Sequence, residues 1–523
     1  MKQFLLLRMK LLSFLKTHKI QIILGIILLA AAFFRLYRIS DYLTFLGDEG
    51  RDMVIAKGIL EGHFTLLGPR ASAGDFYTGP IYYYMMAPFV WLFHYDPVGP
   101  AVMVALLSVA TVWLIYFIGK KFFHIYAVLL ACSLYAVSPL VITYAQFSWN
   151  PNPMPFFTLL LLYLLYKAVK QQSCKLFILS GLLYGLVLQL HYIETFTGVI
   201  ILLFVILGNY VLKLKQSFLA LGKHYLEILL GFLLGLSPFL LFEVRHDFLN
   251  SKSILHFIFY GDSHAANLTH IPFLQTISDV FFRLFGYLIF SFPAPKVTPH
   301  LPQIVAVIFA AVVVLITFIA LYCLRFMKDK LLLLLIVLWL VVGVGLFGFY
   351  HKPIYDYYLA FMFPLPFLIF ANFFSVFVES KKFQPILKSI VVIIFISAFI
   401  YALVRSPLQY PPNNQKGQMK SIADFVISKT DNQPFNFALL TKGNSDDAYR
   451  YFMDIDGHKA VPIDNQIDDP KRTTVTNQLL VVCEDLSCKP LGNPLFNVAA
   501  FGRAKIAGEW NYSYVKVYRL VHY

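Results

Sequence analysis

The chain has 523 residues, 59% of them hydrophobic and only 14% charged, where a soluble protein is roughly 25% charged. A water-soluble fold of this composition would expose more apolar surface than water tolerates, while apolar runs of about 20 residues are the length that crosses a bilayer. The formal net charge of +15 raises nucleic acid as a partner, but no basic stripe interleaved with aromatics supports that class.

The N-terminus is basic (Lys2, Arg8, Lys10, Lys16, Lys19) ahead of a long apolar run, with no small-residue cleavage site, and reads as a retained first helix. The hydrophobic runs predict a polytopic α-helical membrane protein of about 11 transmembrane helices, over 20–39, 98–118, 125–143, 154–170, 176–190, 196–212, 225–242, 301–324, 331–349, 357–378 and 386–404. With a cytoplasmic N-terminus, the inner segments hold 19 of the 29 Lys and Arg in residues 1–404, the bias that orients such helices in a cell membrane. Of the 16 acids in the same stretch, all but Glu227, Asp329 and Glu379 fall on the outer side. Acids contribute little to topology, so function is expected there. Apolar stretches at 81–93 and 278–292 would reverse the alternation, and are expected as interfacial or re-entrant segments within two outer elaborations, 40–97 and 243–300.

Beyond residue 404, Ser406-Pro407, Pro411-Pro412 and Asn413-Asn414 make a turn-rich linker. It divides a membrane domain, 1–404, from a small extracytoplasmic α/β domain, 405–523. Spacing predicts a helix over 419–428 and strands over 435–440, 478–482, 497–501 and 512–520. Cys483 and Cys488 either close a small disulfide loop or remain two thiols.

The first outer loop holds the densest chemistry. Gly47-Asp48-Glu49-Gly50-Arg51-Asp52 follows the first span, then Gly68-Pro69-Arg70 and Gly74-Asp75-Phe76-Tyr77-Thr78-Gly79-Pro80, then the Tyr-rich segment from Ile81. Adjacent carboxylates at a membrane surface are costly unless solvated or used, and the alternative for Asp48 and Glu49 is the first turn of a helix, where acids complement the dipole. Other outer candidates are Asn150 in Ser148-Trp149-Asn150-Pro151-Asn152, His191 in Gln189-Leu190-His191-Tyr192, Arg245-His246, and the run His351-Lys352-Pro353-Ile354-Tyr355-Asp356-Tyr357. The alternatives are snorkelling for the cations, aromatic anchoring for Tyr357 and a packed, hydrogen-bonded core position for His191.

This layout, a first span ending in an acidic pair, a short helix and a Gly/Pro turn into a Tyr-rich interfacial helix, resembles glycosyltransferase family 39. That family includes the protein O-mannosyltransferases and the aminoarabinose transferases, and has the GT-C membrane fold. The resemblance spans residues 20–404 in layout, and 405–523 resembles the domains appended to some bacterial members. It implies transfer of a sugar, with inversion, from a polyprenyl-phosphate donor to a lipid, glycan or protein acceptor on the outer face of the membrane. Asp48 would be the base and Glu49 its support or an acceptor contact. Arg51, Arg70, Arg245, His246 and Lys352 are candidates for the leaving phosphate, and Tyr357 for a phosphate or sugar contact. Where many relatives have Lys-Pro-Pro this chain has Thr78-Gly79-Pro80, which leaves Arg70 or another cation to replace the lysine. Where many have a second aspartate it has Asn150 and Asn152, which can hydrogen-bond an acceptor but cannot act as a base. No cofactor is assigned; a divalent metal ion would find only Asp75 and His191, two ligands without fixed geometry. Two other classes stay open: a lipid-linked sugar flippase or transporter, and a ligase or polymerase using a diphosphate-linked glycan. Transporters place charges at mid-membrane and show related halves, whereas here the acids crowd the outer loops.

Overall fold

A computed structural model describes residues 15–71, 76–214, 217–260, 272–292, 303–350, 352–380 and 384–523. Lys2, Arg8 and Lys10 of the basic N-terminus, Asp75, His351 and parts of the 243–300 loop lie outside the described residues. Among the described residues, 8 helices are long and apolar enough to span a membrane, or 10 if each of two bent pairs is one span. Nine of the eleven expected spans are among these ten. The other two are the helices Met154–Gln171, with Lys170 in its last turn, and Cys174–Leu190.

The bends have a local cause. Ile125–Val137 and Pro139–Ala145 meet at 58° because Pro139 has no N–H to give the Tyr135 carbonyl. An unpaired carbonyl in hydrocarbon costs several kcal/mol, and Arg35 from the first span supplies the donors. Its guanidinium bonds Ala136 O at 2.8 Å, Tyr135 O at 3.4 Å and Ser108 Oγ at 2.8 Å, fully buried. Cys174–Leu190 and Phe218–Gly235 instead run parallel and touch backbone to backbone. A Cβ on Gly181 would overlap the Ile228 carbonyl oxygen, and one on Gly231 that of Ile178, the close approach that small residues permit in lipid.

The stretch expected to be interfacial or re-entrant at 278–292 overlaps a helical run, Phe273–Phe290, long enough to cross by length and composition. Both its ends nevertheless meet the same end of the bundle. Phe273 packs on Phe349, at the far end of the Lys330–Gly345 helix, and Phe292 stacks on Phe309 near the start of Gln303–Cys323, the preceding antiparallel helix. Leu288 O accepts the Ser138 hydroxyl at 2.7 Å.

The C-terminal domain is a four-stranded sheet of order β1-β2-β4-β3. Strand β1 (Asn436–Leu440) pairs parallel with β2 (Gln478–Cys483), while β4 (Val515–His522) pairs antiparallel with both β2 and β3 (Ala504–Tyr512). Helices Gln415–Ile427 and Asp447–Ile455 cover it, and Cys483 and Cys488 are joined by a disulfide. Two sequence expectations are corrected here. The strand expected over 497–501 is the helix Phe496–Phe501, whose buried Val498 and Phe501 keep a helical spacing that the apolar run masks. The strand expected over 512–520 is a hairpin, β3 ending at Tyr512 and β4 starting at Val515, with Ser513 at φ 54° making the turn. The domain rests on the first loop: Asn414 N donates to Asp41 O at 2.9 Å, Lys416 meets Asp96 at 3.0 Å and Lys57 meets Asp454 at 3.1 Å.

Candidate active site

The first loop builds one wall of a cleft from two segments. The helix Gly47–Leu60 opens it, and the Glu49 carboxylate turns back to accept the Leu46 N–H at 2.9 Å. Glu49 is thereby buried, and burial pushes its carboxyl up to about 8, against the pull of its backbone hydrogen bonds. Asp48, next to it, points outward with its side chain 56% exposed and is bridged by Arg51 at 2.8 Å. Arg51 also holds the buried Asp52 at 2.7 Å. Burial pushes Asp52 up to about 6 against that pull, and burial of Arg51 is outweighed by Asp52 and Asp48, which hold its guanidinium above its ordinary value. The second segment is the short bridge Arg70↔Tyr77, clamped by Asn250, which accepts the Tyr77 N–H and donates to the Tyr77 carbonyl.

The opposite wall and floor come from three remote places. Asn150 follows the kinked span and donates its amide to Leu190 O, at the end of Cys174–Leu190. His191 caps that helix; its Nδ1 accepts the Ile193 N–H at 3.2 Å, which puts the proton of the neutral ring on Nε2. Burial lowers this imidazole to about 3, so it stays neutral. The ring stacks on Tyr192 at 4.3 Å and meets Tyr357 edge-on at 5.7 Å, while Trp149 lies 4.3 Å from Tyr357.

Asp48, Arg51, Arg70, Thr78, Trp149, Asn150, His191, Tyr192 and Tyr357 thus line one cleft of about 70 Å³. Six of the sequence candidates, Asp48, Arg51, Arg70, Asn150, His191 and Tyr357, meet there. Glu49, Arg245, His246 and Lys352 are not among its lining. Arg245 and His246 end the Ser237–Arg245 helix, exposed, with the His246 ring stacked on Phe242. Lys352 lies 4.8 Å over Phe257, which packs on Phe76, itself against Tyr192. Trp149 and Tyr192 join the site although sequence reasoning did not select them; the signal was their place beside Asn150 and His191. Among the described residues, no group of three or more His, Cys, Asp and Glu is placed to hold a metal ion. His191 with its proton on Nε2 has no lone pair to offer unless the Ile193 bond is given up. Chemically, the cleft offers a solvent-reached carboxylate, two guanidinium groups for an anion and an aromatic floor.

Residues 77–242 match the sequence profile of a family described as dolichyl-phosphate-mannose-protein mannosyltransferase. In structure the chain is similar to ArnT from Cupriavidus metallidurans bound to undecaprenyl phosphate, with TM-score 0.62 and 11% identity, covering 96% of this chain and 98% of that one. The chain has the GT-C fold. The same GT-C fold relates it to the archaeal oligosaccharyltransferase AglB from Archaeoglobus fulgidus in complex with an inhibitory peptide and a dolichol-phosphate, with TM-score 0.54 and 12% identity over 89% of this chain and 70% of that one. No curated protein matches the sequence at a significant level. The GT-C likeness embraces both the helical bundle and the small C-terminal sheet domain.

Proposed function

We propose that the protein moves a sugar from a polyprenyl-phosphate donor to an acceptor on the outer face of the membrane, the face that carries the sheet domain, with inversion at the transferred carbon. The observation that carries this reading is the convergence, in one cleft at the bundle's end, of Asp48, two arginines and an aromatic floor from segments up to about 300 residues apart in sequence. Asp48 accepts the acceptor's proton or orients it for in-line attack. The leaving group is a lipid phosphate that gains charge as the bond breaks, so cations held beside it lower the barrier. Arg70 and Arg51, which line the cleft, serve that role, with Lys352, Arg245 and His246 as further cations for the lipid phosphate. Tyr357 and Trp149 offer faces for the apolar side of a sugar ring, and the neutral His191 offers an N–H. Glu49 shapes the helix that presents Asp48. The polyprenyl-phosphate ligands of ArnT and AglB agree with a lipid-phosphate donor. Likeness to an oligosaccharyltransferase supports a second reading, transfer of a whole glycan.

The test is turnover by purified protein in lipid, with a panel of radiolabelled polyprenyl-phosphate and polyprenyl-diphosphate sugars and membrane extract as acceptor. Release of label from a monophosphate donor, lost in Asp48→Asn with carrier binding intact, is the expected result. Turnover of diphosphate donors alone would favour whole-glycan transfer. Passage of label across the bilayer without chemistry would replace both readings with a flippase.

A further inference from the structure

The helix that presents Asp48 is a poor helix by its own sequence. It starts at Gly47, has a second glycine at Gly50, and is preceded by Leu46, which has no side-chain acceptor. Helix starts need acceptors for their first N–H groups, and Ser, Thr, Asp or Asn at the preceding position is the usual local source. Glu49 turns back to serve the Leu46 N–H, and the Gly47 N–H finds its acceptor outside the helix. Its acceptor is the Asn444 side-chain oxygen, at 2.9 Å from 397 residues further along the chain.

The partners of Asn444 fix its orientation. Its oxygen also accepts the Ser445 N–H at 2.9 Å, and its amide nitrogen donates to Glu484 at 3.0 Å. Glu484 is itself held by the Tyr449 hydroxyl at 2.9 Å and the Thr441 hydroxyl at 2.6 Å, one residue from the Cys483–Cys488 disulfide. Turning the amide over would set an NH2 against two N–H donors and an oxygen against a carboxylate. The shapes agree with the bonds. A Cβ on Gly47 would run into the Ser445 side chain, and one on Gly50 into the backbone of Ala448. Gly47 and Gly50, which weaken the start of the helix, are thus what lets the sheet domain lie against it. Phe45, just ahead of the helix, packs on Tyr451 and Phe452 at 6.0 and 5.2 Å.

We propose that Asn444 is a positioning residue for Asp48: it supplies from the sheet domain the N-terminal cap that the Asp48 helix lacks, with Glu484 locking its amide. Asp48 is the residue after the capped N–H, so a loosened cap displaces the carboxylate from the cleft geometry, to which a group acting on a bound reactant is sensitive at the ångström scale. The sheet domain is then part of the site's construction. The cap stands on geometry alone; its effect on turnover rests on the function proposed above.

The experiment uses the full chain in lipid nanodiscs and three readouts: amide hydrogen exchange over 46–50, carbodiimide labelling of Asp48, and donor turnover. In Asn444→Ala, exchange at Gly47 and its neighbours rises at least tenfold while the strands β2 and β4 keep their protection. The Asp48 labelling rate changes by at least twofold, and kcat falls about tenfold with the donor KM within twofold. Asn444→Asp, which sets two carboxylates together, behaves like the alanine variant. Asn444→Asp/Glu484→Gln, which restores a donor and acceptor pair with the roles exchanged, recovers protection and turnover. Unchanged exchange over 46–50 in Asn444→Ala overturns the proposal. So does a double variant no better than Asn444→Asp, and that result decides the matter should the alanine variant unfold the sheet domain. If the wild type turns over no donor, the functional reading fails, while exchange and labelling still decide the cap.

Discussion

Two regions of the same face, the Asp48 helix and the Arg245-His246 turn, look alike in sequence: each follows a span directly and each concentrates charge. In three dimensions they differ in enclosure. Asp48 is bridged by Arg51, Arg51 holds a buried Asp52, and the helix beneath is capped from the sheet domain. Arg245 and His246 are exposed at a helix end, and the His246 ring bonds the carbonyl of Phe242, four residues back. Charge at this boundary therefore comes in two forms, one fixed by partners from distant parts of the chain and one left exposed.

The contrast can be broken or sharpened by substitution. The largest expected effect is Asp48→Asn, which removes the proposed base and lowers turnover by about 10²- to 10⁴-fold, read as label released per enzyme with carrier binding unchanged. Next, Arg70→Ala lowers kcat/KM for the lipid-phosphate donor by about tenfold or more, as loss of a cation beside a leaving phosphate does, whereas Arg245→Ala stays within about threefold; the reverse order would move the phosphate to the exposed turn. Gly50→Val forces a side chain into the Ala448 backbone; overpacking of this kind costs about 1–3 kcal/mol, and lowers the unfolding temperature as well as turnover. The last effect is on stability alone and concerns pH. Glu49 titrates at about 8 in the folded chain, above the unfolded carboxyl at about 4.3. The native state therefore holds the extra proton between those values, and its contribution to stability is full below about pH 4 and is lost as pH rises through 8. The unfolding temperature of Glu49→Gln falls less between pH 5 and 8 than that of the wild type.

Much of this was legible before the fold was known. Most spans follow from apolar length. Asp48, Arg70, Asn150, His191 and Tyr357 stood out as polar groups at span ends, and they meet. The remainder depended on long-range geometry. Nothing local says that Arg35 bonds the carbonyls released at Pro139, since an intramembrane arginine reads equally as a functional charge. Trp149 and Tyr192 carry no signal of their own beyond their place beside Asn150 and His191, and only the closed cleft brings them to the site. The role of Gly47 and Gly50 is visible only with the sheet domain in place, because the partner they accommodate is about 400 residues away. The strand expected over 497–501 failed for a different reason: a five-residue apolar run fits a buried strand and a helical turn equally well.

The most direct measurement is a structure of the protein in lipid nanodiscs with undecaprenyl phosphate bound. The account predicts the phosphate in the cleft, in contact with Arg70 or Arg51 and beside Asp48, with the prenyl chain leaving past Lys352 toward the bilayer. A phosphate seated on Arg245 and His246, with the cleft vacant, would contradict it.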